Sequence, residues 1–139
     1  SKALILLAED NPISGLAVQE YLESYGYTLV RAQNGAEALT VAELLPIDII
    51  LMDIQMPVLD GLETTRLIRS QEKPGEHLPV IAMTANAMEG DREACLKAGM
   101  DDFISKPIIT SDLRKILARW VPQTESEREH TTSPEASAD

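Results

Sequence analysis

Residues 47–61 read Ile47-Asp48-Ile49-Ile50-Leu51-Met52-Asp53-Ile54-Gln55-Met56-Pro57-Val58-Leu59-Asp60-Gly61. The run Ile47–Met52 is strand-length and nearly all apolar, as a strand buried on both faces should be, and an acid follows it. Strands of that kind occur in parallel sheets covered by helices on each side. Asp60-Gly61-Leu62-Glu63 then sets a capping side chain three residues before a glutamate, the spacing of a helix start.

Outward from this stretch the same two periods alternate. Apolar runs recur at Ala3–Ala8, Thr28–Ala32, Val80–Met83 and Asp102–Ile104. Helix starts are marked by Asn11-Pro12, by Asn34-Gly35-Ala36-Glu37 and by Asn86-Ala87-Met88-Glu89, and Gly26 and Gly99 stand where helix-ending glycines belong. Apolar stripes at helical spacing run through Val18, Tyr21, Leu22 and Tyr25, through Ala38, Val41, Ala42 and Leu45, and through Leu113, Ile116, Leu117 and Trp120. The fourth helix, near Ala87–Ala98, has the weakest stripe. Five strands alternating with five helices predict one three-layer α/β domain built on a parallel sheet, since each crossover is right-handed.

The chain of 139 residues is 44% hydrophobic, enough for one self-sufficient core. Its formal net charge of −11 argues against nucleic acid or an anionic membrane as a direct partner. One cysteine cannot form an internal disulfide, which points to a reducing compartment. No apolar run approaches a membrane span, and Ser1-Lys2-Ala3 does not open a signal peptide. A start without methionine suggests a segment cut from a longer chain. Residues 122–139 hold five acids, one arginine and no apolar side chain larger than alanine, and are read as a disordered acidic tail or linker after a domain spanning 1–121.

Ligands of open parallel sheets bind beyond the carboxyl ends of the strands. The first run there meets Glu9-Asp10, the third Asp53, the fourth Thr84 and the fifth Ser105-Lys106-Pro107, while the second ends blandly at Gln33-Asn34. Acids gathered at one rim repel one another unless a cation joins them, and hard oxygen ligands suit Mg²⁺. A carboxylate can attack phosphorus to give an aspartyl phosphate, and a metal, a lysine and a hydroxyl are the groups that neutralise the transferring oxygens. The set fits phosphoryl transfer onto an aspartate.

These residues carry a resemblance. The pair Glu9-Asp10, the segment Asp53 to Gly61, the turn Met83-Thr84-Ala85 and the segment Phe103 to Pro107 resemble the receiver domain of two-component response regulators over the whole of residues 1–121. The resemblance implies a flavodoxin-like sheet of order 2-1-3-4-5. It implies that Asp53 accepts a phosphoryl group from a phosphohistidine, on a histidine kinase or a histidine phosphotransfer domain. Mg²⁺ (or Mn²⁺) would be held by Asp10, Asp53 and the backbone carbonyl of Gln55, with Glu9 holding a metal-bound water. Lys106 would bind the phosphoryl oxygens, Pro107 would follow a cis peptide, and Thr84 and Phe103 would act as the switch. Gly61 would serve turn and cap geometry. Such a domain catalyses only its own phosphorylation and slow dephosphorylation. The segments Met52–Pro57 and Ile81–Asn86 resemble receivers fused to hybrid sensor histidine kinases, which implies a cytoplasmic location with no membrane contact by this segment.

Each residue has a plainer reading. Asp10 and Glu9 could be first-turn acids of a helix, Thr84 a common strand-end residue and Phe103 simply core. Cys95 and Trp120 are read as packing residues, and His77 and His130 lack metal-ligand spacing. Three other functions compete: a stand-alone single-domain regulator, an aspartyl-phosphate hydrolase and a phosphorylation-independent binding module. The hydrolase reading wants a general acid two residues after the nucleophile, where this chain has Gln55, and the binding module is expected to have lost part of an acid, Thr and Lys set that is complete here.

Overall fold

The computed structural model describes residues 3–85 and 89–121, with only the backbone for 89–91. Strands and helices alternate as β1 (Leu4–Ala8), α1 (Pro12–Ser24), β2 (Thr28–Ala32), α2 (Gly35–Leu44), β3 (Ile49–Asp53), α3 (Gly61–Gln71), β4 (Val80–Thr84), α4 (Glu89–Ala98), β5 (Asp102–Ser105) and α5 (Thr110–Trp120). All four strand pairs are parallel, in the order β2-β1-β3-β4-β5.

Both faces of the sheet are covered, which is why its central strands read as unbroken apolar runs. Ile5, Leu7, Ile49, Leu51, Ile81 and Met83 point to one side, where Val18 and Leu22 of α1 and Leu113, Ile116 and Leu117 of α5 meet them. Leu6, Ala8, Ile50, Met52, Val80 and Ala82 point to the other, against Ala38 of α2, Ile68 of α3 and Cys95 of α4. Cys95 is therefore buried packing, and Trp120 packs at the edge of the first layer while its Nε1 donates to Asp102 Oδ2 at 2.9 Å. Among the described residues, no helix is long and apolar enough to cross a membrane.

The helix starts are capped as the spacing requires. Asn11 Oδ1 accepts from the amides of Ile13 and Ser14, Asn34 Oδ1 from Glu37, and Asp60 Oδ1 from Glu63. Gly26 and Gly99 adopt φ of 90° and 104°, so both helix ends use the left-handed region that glycine enters freely. Asn86 and the tail 122–139 lie outside the described residues.

Several boundaries differ from expectation. The third strand starts at Ile49, not Ile47, and takes in Asp53, while the fourth and fifth take in Thr84 and Ser105. The rim residues thus terminate the strands, because their backbones still pair: Asp53 faces Met83, and Thr84 faces Ser105. Tyr25 and Leu45 fit their helical stripes but are 42% and 41% exposed. Each is the C-cap residue of its helix, where the helical turn that would aim it inward has ended.

At the opposite end of the sheet Arg69 closes the fold. Its guanidinium donates to Glu72 Oε2 at 2.6 Å, Asp101 Oδ2 at 2.7 Å, Leu78 O at 2.8 Å and, through Nε, Gly99 O at 2.8 Å. The same two carboxylates accept the amides of Leu78 and Val80, and Asp101 Oδ1 lies 2.6 Å from His77 Nε2. The end of α3, the entry to β4 and the turn before β5 are joined through one side chain.

Candidate functional site

The strand order brings the ends of β1, β3, β4 and β5 side by side, and with them the polar residues that close each run. Glu9 and Asp53 are 3% and 5% exposed, Thr84 is buried, and Asp10 faces solvent. Carboxylate oxygens of Glu9, Asp10 and Asp53 lie within 4.8 Å of one another. Lys106 stands among them, its Nζ 2.9 Å from Glu9 Oε1 and 3.0 Å from Asp53 Oδ2. The Lys106–Pro107 peptide is cis, and the Lys106 amide donates to Thr84 O at 2.8 Å.

The loop after β3 is shaped by close backbone contacts. Asp53 Oδ1 accepts the amide of Gln55 at 3.0 Å, and Gly61 N donates to Ile54 O at 3.2 Å. A Cβ on Gly61 would collide with the carbonyl oxygen of Asp53 and crowd Ile54 Cα, so only glycine lets α3 start against the end of β3. Between them Val58 takes φ of 70°, and Leu59 N donates to Pro57 O at 2.7 Å, closing a three-residue γ-turn.

Burial, countered by the bonds from Lys106 and the Asn11 amide and aided by Asp53, leaves the Glu9 carboxyl above its ordinary pKa. For Lys106 burial pulls downward, but hydrogen bonds to Glu9 and Asp53 outweigh it and hold the ammonium above the usual lysine value. Three anionic oxygen donors beside one fixed ammonium make a chemically suitable seat for a hard divalent cation. Zinc-type nitrogen or sulfur donors are absent from this cluster.

A family model described as the response regulator receiver domain matches residues 5–118. The chain belongs to the receiver domain family. Hybrid signal transduction protein dokA of Dictyostelium discoideum is 41% identical over 125 residues, which is 90% of this chain but 7% of that protein. Among solved structures, the receiver domain of the sensor histidine kinase PA1611 from Pseudomonas aeruginosa, with a magnesium ion coordinated in its active-site cleft, is 47% identical with a TM-score of 0.79, over 86% of this chain and 98% of that one. The receiver domain of Ssk1 from Saccharomyces cerevisiae, crystallised with the histidine phosphotransfer protein Ypd1, is 28% identical with a TM-score of 0.80, over 86% and 89% of the two chains.

In this receiver Glu9, Asp10, Asp53, Thr84 and Lys106 stand at one edge as the sequence led one to expect, whereas Phe103 lies deeper along β5 and is half-buried on the α4 side of the sheet. The guanidinium of Arg92 covers its ring at 4.6 Å. Neither Arg92 nor Arg31, whose Nη2 donates to Glu9 O at 3.4 Å, was expected at the site. The only trace of Arg31 in the sequence is a charge inside a strand-period run paired with a glycine inside a helix-period one.

Proposed function

We propose that Asp53 is the phospho-acceptor of this receiver, taking the phosphoryl group of a phosphohistidine. The observation that carries this reading is the convergence of three carboxylates within 4.8 Å, with the Lys106 ammonium 3.0 Å from one oxygen of Asp53. An Asp53 oxygen attacks phosphorus, the P–N bond breaks, its electron pair returns to the imidazole nitrogen, and a proton from solvent completes the neutral histidine. Lys106 neutralises charge on the transferring oxygens. Glu9, Asp10, Asp53 and the Gln55 carbonyl would hold Mg²⁺, which when bound supplies the remaining charge neutralisation at the phosphoryl oxygens. Thr84 closes the neighbouring strand, from where its hydroxyl can reach an added phosphoryl group, and Phe103 one strand away can follow that movement.

The donor histidine needs a docking face. Beside the rim a groove of about 380 Å³ runs between α1 and the turn into α5, lined by Ile13, Ala17, Tyr21, Pro107 and Ile108, with Ile13 81% exposed. An apolar helical partner laid in that groove brings a phosphohistidine to the rim, as a histidine phosphotransfer or kinase dimerisation helix would. The similarity to hybrid signalling proteins supports placing the chain as the cytoplasmic receiver segment of such a protein, with residues 122–139 as a tether to a neighbouring domain.

Incubation with Mg²⁺ and acetyl phosphate is expected to add about 80 Da to the wild type. Chelation of the metal or Asp53→Asn should abolish the adduct. An undiminished adduct in Asp53→Asn would move the acceptor elsewhere.

A further inference from the structure

Two unfavourable features meet on the flank of α1. Gly15 sits inside the helix, where glycine is a poor helix former, and it is buried. A Cβ there would run into the guanidinium of Arg31, whose Nη2, Cζ and Nη1 are the nearest atoms to it. Arg31 comes from β2, opposite Leu7, and shares with Leu29 the sheet face covered by α1. Its Nε is buried and has no hydrogen-bond partner. Nη1 reaches Gln19 Oε1 and Nη2 reaches Glu9 O, both at 3.4 Å. These oxygens, an amide and a backbone carbonyl, are neutral, so neither neutralises the arginine. The fold thus gives up helix propensity and a donor to seat a permanent positive charge against the main chain of Glu9, whose side chain belongs to the acid cluster.

We propose that Arg31 is an electrostatic positioning residue of the acid cluster: lodged in the space that Gly15 leaves open, its fixed charge holds down the affinity of Glu9, Asp10 and Asp53 for a divalent cation. This rests on reading the cluster as a metal seat. A guanidinium never loses its proton near neutrality, so the effect does not follow pH. A unit charge repels a divalent ion about twice as strongly as a monovalent one, and partial burial limits screening by salt. Arg31 also favours the cluster once a phosphoryl dianion joins it, because the added charge there is negative. The cation is held loosely alone and more firmly with its phosphoryl partner.

The test is calorimetric titration of Mg²⁺ into the full 139-residue chain at low ionic strength, with no phosphoryl donor present. Arg31→Met, which keeps the stem and removes the charge, is expected to tighten Mg²⁺ binding about three- to tenfold. Arg31→Lys should stay within about twofold of the wild type, since the charge remains. Gly15→Ala, which expels the guanidinium from its seat, should tighten binding in the same direction and supplies the test if Arg31→Met fails to fold. The sign is decisive: damage to the rim loosens a metal, whereas loss of a repelling charge tightens it. Unchanged or weaker binding in Arg31→Met and Gly15→Ala overturns the role of Arg31 while leaving the metal seat intact. Absence of Mg²⁺ binding in every folded variant, wild type included, overturns the metal reading and this inference with it.

Discussion

Lys106 is the residue on which the rim turns. The ammonium bridges two carboxylates that are nearly closed to solvent, and the fold holds its proton more tightly than the ordinary value of 10.5. A group whose pKa rises on folding contributes stability that is complete below the unfolded value and is lost as pH climbs through the folded one. The urea midpoint of the wild type should therefore exceed that of Lys106→Met by a constant margin near neutrality, narrowing in the alkaline range above about 10.5. A margin that stays constant through that range would mean the bridge does not depend on the lysine proton. Val58 makes an opposite prediction. A β-branched side chain at φ of 70° is strained by about 1–2 kcal/mol, and glycine would relieve this at some cost in chain entropy. Val58→Gly is expected to gain up to about 1 kcal/mol in urea unfolding, and a loss would show that the turn is not strained.

At the level of elements, α3 is set by its first two residues. Asp60 caps Glu63 N at 2.8 Å, and Asp60→Ala should cost about 1 kcal/mol of stability while leaving the proposed acceptor Asp53 in place. Gly61→Ala acts differently, because the added methyl strikes the Asp53 carbonyl and must shift either the helix or the end of β3. Phosphorylation should fall more in Gly61→Ala than in Asp60→Ala, although both disturb the same helix start; equal losses would detach Gly61 from the site. In the core of β3, Leu51 is fully buried, and Leu51→Ala is expected to cost about 2–5 kcal/mol.

These elements show where sequence reading succeeds. The order of strands and helices was legible because a sheet buried on both faces leaves continuous apolar runs, and the rim was legible because polar residues end those runs at Glu9, Asp53, Thr84 and Lys106. Ile47, Tyr25 and Leu45 were misplaced because periodicity continues past the point where backbone pairing or helical turns stop. The partners in the Arg69–Asp101 and Arg31–Glu9 contacts were not legible, even where Arg31 stands out as a charge in a strand-period run, since each contact joins elements far apart in sequence through one side chain whose direction no local pattern encodes.

For the molecule as a whole, the metal seat proposed at the acid rim would tie cation binding to folding. A cation that binds only the folded chain stabilises it by about 2.7 kcal/mol at a hundred times its dissociation constant. The melting temperature should rise with Mg²⁺ by several degrees in the wild type and by much less in Asp53→Asn. Equal shifts in both would indicate general screening of the −11 net charge rather than a site.

Arg69 gives the opposite pole of the sheet a distinct mechanical character. Four donor contacts from one guanidinium rivet the base of β4 and β5 to α3, at the end of the sheet away from Asp53 and Thr84. On the proposed switch role of Thr84, a displacement begun there would pivot about this anchored heel, the strands above it working as levers and not as sliding plates. The amides of Leu78 and Val80, anchored on Glu72 and Asp101, should exchange hydrogen equally slowly before and after phosphorylation, and Arg69→Ala should surrender that fulcrum.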